Sequence, residues 1–258
     1  MAHKFLLVIL AAVTEHIFLW FITPKKAQVR VHKQVVIFKD KHTYVMTWLY
    51  IMCFGSFIGY SGSFPKLIVD LSGYLKSDGC MVDTTFTPGG DEGSCLEAGG
   101  EWLLDKTYTN PNAPSSDNIA WLGAFVGSLI RPVGGVLADK FGGAKMTMIA
   151  IVWCTIAAFA QGALVQKTRE LDRPEENFGW FIFLFINLFF TTGFMNGTTF
   201  RTIGVLLPPE ESGPVLGWSS AIASYGAFII PTMFGIAIKA GAPEVTFYGL
   251  GTCIFSWN

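Results

Sequence analysis

The sequence predicts an all-α fold, a polytopic bundle of transmembrane helices, and three observations carry that prediction. Of the 258 residues, 51% are hydrophobic and only 14% are charged, against roughly a quarter charged in ordinary soluble domains. The mean hydropathy is +0.45. The apolar residues are gathered into long runs near the ~20 residues that a helix needs to cross hydrocarbon, and charge-rich pieces separate the runs.

The runs cover 5–22, 44–71, 118–138, 146–165, 178–207 and 213–238, followed by an incomplete 247–258. This predicts six spans and part of a seventh. At 1.5 Å per residue the first covers about 27 Å and the last only about 18 Å of a layer near 30 Å thick. The start resembles a signal peptide, but Glu15 and His16 interrupt its apolar run and no small-residue cleavage site follows, so a retained span fits better. Two domains are expected, 1–43 and 44–258, the second carrying the long acidic loop 73–117.

Charge distribution orients the spans. Lys25, Lys26, Arg30, Lys33, Lys39 and Lys41 face only Asp40 in the first loop, which is therefore predicted to be cytoplasmic. The loop 73–117 is then outside, and it holds Asp78, Asp83, Asp91, Glu92, Glu97, Glu101, Asp105 and Asp117 against Lys76 and Lys106. Lys140 and Lys145 return the chain to the inner side. The overall balance of 18 basic and 19 acidic residues offers no bulk charge to a nucleic acid.

Cys53, Cys154 and Cys253 fall in spans as small buried hydrophobes. Cys80 and Cys95 share the outer loop, where an oxidising compartment permits a disulfide closing it, with surface thiol chemistry as the alternative. No Cys/His spacing points to a metal, and no cofactor is expected. No nucleophile–base pair or redox motif lies at useful depth, so an enzyme is not expected.

Arg131 is the informative residue. It lies eight residues before Asp139 at the cytoplasmic turn, about 12 Å inside the membrane. Insertion there costs at least ~2.5 kcal/mol, so the side chain should face a cavity or partner, and the spans offer no carboxylate at that depth. A planar cation with five donors suits a small, flat oxyanion such as nitrate. Pro132 frees a carbonyl one turn back and implies a bend.

Tyr50 and Phe54 share a helix face about 9 and 15 Å from the inner end and are candidate walls for a flat anion, or ordinary packing aromatics. Asn196, Thr198, Ser220, Ser224 and Tyr225 supply neutral donors at comparable depth, or glue between helices. Gly193, Gly197 and Gly226 with neighbouring alanines make stripes that let helices approach closely, and Pro231 adds a flexing point.

Gly134-Gly-Val-Leu-Ala-Asp-Lys-Phe-Gly-Gly143 resembles the loop motif of the major facilitator superfamily, in which Gly135, Asp139, Gly142 and Gly143 would serve conformational change. Combined with Leu49-Tyr-Ile-Met-Cys-Phe-Gly-Ser-Phe-Ile-Gly-Tyr60, Gly127-Ser-Leu-Ile-Arg-Pro-Val-Gly-Gly135, Asn196-Gly-Thr-Thr-Phe-Arg201 and Ser220-Ala-Ile-Ala-Ser-Tyr-Gly-Ala-Phe-Ile-Ile-Pro231, it resembles the nitrate/nitrite porter family of that superfamily.

The resemblance matches the second half of a twelve-helix fold, so the first span is the sixth-helix equivalent and 44–258 the carboxyl-terminal six-helix half with an incomplete last helix. It implies a substrate site at Arg131, Tyr50, Phe54, Asn196, Ser220 and Tyr225, and transport of nitrate or nitrite by alternating access. Ala223, Ala227 and Met195 stand where the family often has glycine. The implied partners are nitrate or nitrite, the lipid bilayer and a missing amino-terminal half that carries a second arginine; the implied location is the inner or plasma membrane, as a multi-pass protein. An anion channel and a non-transporting nitrate sensor are the alternatives. The shortage of span carboxylates weighs against a proton relay in this half.

Overall fold

In the computed structural model, residues 10, 13, 14, 17, 21, 35–171 and 173–256 are described. The predicted span 5–22 and most of the basic loop lie outside these residues. The chain divides into two compact units between Thr43 and Tyr44. In the first, a 3₁₀ turn (Val35–Lys39) leads to Asp40, whose carboxylate accepts from the His42 backbone N–H at 2.9 Å and caps the helix that begins at Lys41. That backbone donor, with the His42 ring behind it, holds the Asp40 carboxyl below its ordinary value.

The helices are α1 (Lys41–Tyr50) and α2 (Ser56–Ser72), joined by a π-helical turn (Ile51–Gly55), then α4 (Ser116–Phe141), α5 (Gly143–Arg169), α6 (Phe178–Leu206), α7 (Pro209–Ala223), α8 (Gly226–Lys239) and α9 (Glu244–Phe255). Between α2 and α4 lie β1 (Tyr74–Val82), β2 (Thr85–Pro88), α3 (Glu92–Glu97) and β3 (Glu101–Thr109). Among the described residues, five stretches are long and apolar enough to cross a membrane: Lys41–Ser72, Ser116–Phe141, Gly143–Arg169, Pro174–Leu206 and Pro209–Lys239. The chain is an all-α polytopic membrane bundle. The predicted span 213–238 is not one rod, because α7 stops at Ala223 and α8 starts at Gly226. The hydroxyl of Ser224 turns back onto the Ser220 carbonyl at 2.8 Å at that break.

The core is aromatic. Tyr60 and Phe64 of α2 meet Phe181, Phe185 and Phe189 of α6 with Phe234 and Phe247 of α8 and α9, and the Phe64 and Phe185 rings stack at 4.4 Å. Side chains are removed wherever helices cross closest. A Cβ at Gly193 would meet the Gly127 backbone, and one at Gly226 the Gly55 backbone, so α4 packs on α6 and the π turn on α8 nearly backbone to backbone. Gly142, at φ 91°, makes the reversal between α4 and α5 in a conformation that suits glycine.

The loop 73–117 is folded, which its acid-rich and glycine-rich composition conceals. Its three antiparallel strands are ordered β2-β1-β3, and a disulfide joins Cys80 of β1 to Cys95 of α3, with Cα atoms 5.5 Å apart. Asn110 Nδ2 donates to the Ser72 carbonyl at 2.9 Å and closes the end of α2. Asp91 caps α3 by accepting from the Ser94 backbone N–H at 2.9 Å.

Candidate functional site

Arg131 projects from α4 onto the π-turn region of the first rod. Its guanidinium carbon is 4.4 Å from the Phe57 ring centroid and 5.4 Å from that of Phe54, both within cation–π range. Phe54 in turn lies 5.4 Å from Tyr50 at a tilt of 40°. Phe57 is itself held edge-on by Phe189 at 5.7 Å, so the ring beneath the cation is fixed by the core. Arg131 Nε is buried and has no hydrogen-bond partner among the described residues. A half-buried, permanently charged fork with an unused donor is suited to an incoming oxyanion.

The backbone explains why the cation sits there. A Cβ at Gly197 would strike the Arg131 carbonyl, and one at Gly134 the Phe194 carbonyl, so glycines on both helices bring α4 onto α6 at the arginine's own level. Pro132 continues α4 without a break. The π turn puts Tyr50 and Phe54 on a wider turn than the regular α spacing expected from the sequence, yet their rings still touch. Phe57 completes the wall and escaped the sequence reading, although the apolar spacing 50, 54, 57 is the signal that would have found it.

The other expected site residues make contacts of their own. Asn196 is buried and its Nδ2 approaches Cys53 Sγ of the π turn at 3.8 Å. Thr198 is engaged with Thr147, whose Oγ1 donates to it at 3.0 Å. Tyr225 is 63% exposed, and no hydrogen bond or ring contact among the described residues joins it or Ser220 to Arg131. The residue that keys α7 to α1 is Ser219, fully buried, whose hydroxyl meets Thr47 Oγ1 at 2.9 Å. A single-residue step on a helix rotates the donor by about 100°, enough to exchange one face for another.

At the turn between α4 and α5, Asp139 pairs with Arg201 Nε, joining α4 to α6. This pair flanks a cleft of about 430 Å³ that also takes in Gly142, Gly143 and Thr202. A Cβ at Gly143 would collide with the Thr202 side chain, whereas one at Gly135 would stand 4.0 Å from the Gly197 carbonyl, an ordinary contact. Both members of the ion pair are about half exposed, so the pair is worth little as stability. Among the described residues no group of His, Cys, Asp and Glu is arranged to hold a metal ion.

No protein-family profile matches the chain. It is 33% identical over 219 residues to the probable nitrate/nitrite antiporter NarK2 of Thermus thermophilus, covering 84% of this chain and 40% of that protein. It is 27% identical over 233 residues to the nitrate/nitrite transporter NarU of Escherichia coli, covering 81% of this chain and 41% of that protein. It is 24% identical over 245 residues to the probable nitrate/nitrite antiporter NarK1 of Thermus thermophilus, covering 90% and 47%. The chain thus spans less than half the length of these curated relatives.

Proposed function

We propose that this chain, a member of the nitrate/nitrite porter family, forms one wall of a carrier that moves nitrate, nitrite or both across the cell membrane by alternating access. The observation that carries the proposal is the Arg131 guanidinium over Phe57 and Phe54, with its buried Nε unpartnered. Its fork would take two oxygens of the planar anion, and the aromatic faces would flank the anion and exclude water. Charge neutralisation on binding would offset the burial of the cation.

The uneven covering of the helices supports a second bundle as partner. Buried residues make up 17% of the apolar stretch of α4 and 22% of that of α7 and α8, against 50% in each of the other three stretches. The two least covered elements therefore include the one that carries Arg131. The other half of the carrier, supplying a second cation, would cover this face and close the site at the midplane. The glycine seams let α4 and α2 slide on their neighbours, and the π turn and the break at Ser224 and Tyr225 are the flexing points.

Reconstitution tests this reading. The purified chain in liposomes should show no saturable nitrate entry, and co-reconstitution with a complementary amino-terminal half should restore entry and labelled-nitrate counterflow. Saturable flux from the chain alone would show that it completes its own site, most simply as a dimer. Flux without counterflow would mark a channel.

A further inference from the structure

α4 carries few polar side chains through the layer it crosses. Between Asn118 and Asp139 only Trp121, Ser128 and Arg131 have hydrogen-bonding groups, and the indole N–H of Trp121 is spent on the Asn118 carbonyl at 2.9 Å. Ser128 stands at the middle of Ser116–Phe141, so its hydroxyl lies at mid-depth, where a polar group without a partner is costly. Serine and threonine inside helices commonly donate to the carbonyl one turn back, and Ser61, Ser63, Thr192 and Thr202 do so at 2.8 to 3.0 Å. Ser128 does not use the Ala124 carbonyl. It is exposed, and its hydroxyl has no hydrogen-bond partner among the described residues.

Two unspent donors are therefore neighbours on one helix. Residues three apart have Cβ atoms about 5–6 Å from each other. Helical side chains also lean toward the helix N-terminus, which carries the Arg131 guanidinium from its own level toward that of Ser128. The Phe57 ring marks that level. The guanidinium carbon is 4.4 Å from its centroid, and a Cβ at Gly127, the residue before Ser128, would strike its Cε2. Ser128 is turned about 60° round the axis from Arg131, toward the uncovered face of α4 that holds Trp121 and Phe125.

We infer that Ser128 distinguishes nitrate from nitrite, its hydroxyl donating to the one oxygen of nitrate that the Arg131 fork does not hold. The inference rests on the reading of Arg131 as the cation that receives the anion. Both anions are singly charged and each offers the fork two oxygens, so Arg131 alone treats them much alike. Only nitrate has a third oxygen. A hydroxyl that meets this atom adds affinity for nitrate and none for nitrite, and selectivity is that difference.

Titration of the chain in lipid nanodiscs with nitrate and, separately, with nitrite, read at the Arg131 Nε–H resonance, tests this. Ser128→Ala should weaken nitrate binding by about 5- to 30-fold and change nitrite binding by less than about twofold. Ser128→Thr keeps the hydroxyl and should keep the preference for nitrate. Nitrate and nitrite weakened alike in Ser128→Ala, or neither weakened, would overturn the inference and leave the role of Arg131 standing. An Arg131 resonance that responds to neither anion in the parent chain would overturn both.

Discussion

Replacing Gly197 with alanine should loosen the contact that positions Arg131. A Cβ built there strikes the Arg131 carbonyl oxygen and stands 2.9 Å from its carbonyl carbon and 3.1 Å from its Cα. All three are backbone atoms, so no rotamer change relieves the clash. Packed carbons settle at about 3.5–4.0 Å, so α4 and α6 must part by about 1 Å at this level. Overpacking of this kind destabilises by about 1–3 kcal/mol. For a chain of this size, at about 2–4 °C per kcal/mol, the unfolding midpoint should fall by about 2–12 °C. The same displacement moves the guanidinium off Phe57, so nitrate affinity should fall as well. Thermal unfolding in detergent measures the first effect, and nitrate titration the second. Gly217→Ala is the control, because a Cβ there meets nothing within 4 Å, and its midpoint should hold or rise. A Gly197→Ala midpoint within about 1 °C of the parent, with unaltered nitrate affinity, would show that the two helices are not in this contact.

Phe57→Leu keeps an apolar side chain but removes the ring under Arg131; the loss of about 0.5–2 kcal/mol should weaken nitrate binding by roughly 2- to 30-fold, and a smaller change than in Phe125→Leu would reject the role given to this ring. Reducing the Cys80–Cys95 bond, which closes a separation of 15 residues, should destabilise the loop 73–117 by about 3 kcal/mol and raise its proteolytic opening on the order of 100-fold; equal cleavage of oxidised and reduced chains would contradict this. The backbone and side-chain donors of Ser94 hold the Asp91 carboxyl below its ordinary value of 3.8. Its capping contribution is therefore complete above that value and is lost as pH falls through the lower folded value, which a carboxyl-carbon NMR titration with Asp91→Asn as the blank will follow; titration at or above the ordinary value would refute it.

Hydropathy made the helical bundle legible because a span must satisfy its own backbone hydrogen bonds, which forces long apolar runs. Arg131 stood out for the same reason, as a costly charge whose distance from Asp139 gave its depth. Features set by side-chain interlock were hidden. Nothing in the residues of Ile51–Gly55 announces a π turn. Asn196, expected as a donor for the anion, also approaches Cys53 in that turn, a contact that composition does not reveal. Ser219 and Ser220 are indistinguishable by composition, and only the helix rotation assigns the first to the interface. Tyr225 is exposed two residues past the end of α7, a break that no hydropathy window detects. The strand β1 alternates in exposure, but acids, glycines and its short partner β2 mask the period.

The central claim is that Arg131 is the cation that receives the anion, and ¹⁵N-arginine NMR of the chain in lipid nanodiscs tests it at the atom concerned. Titration with nitrate should shift the Arg131 Nε–H resonance saturably, with chloride producing little change, because only the planar anion engages two arms of the fork. Arg131→Lys should abolish that signal and weaken nitrate binding by at least about tenfold, or 1.4 kcal/mol. An Arg131 resonance indifferent to nitrate, or shifted equally by chloride, would contradict the account.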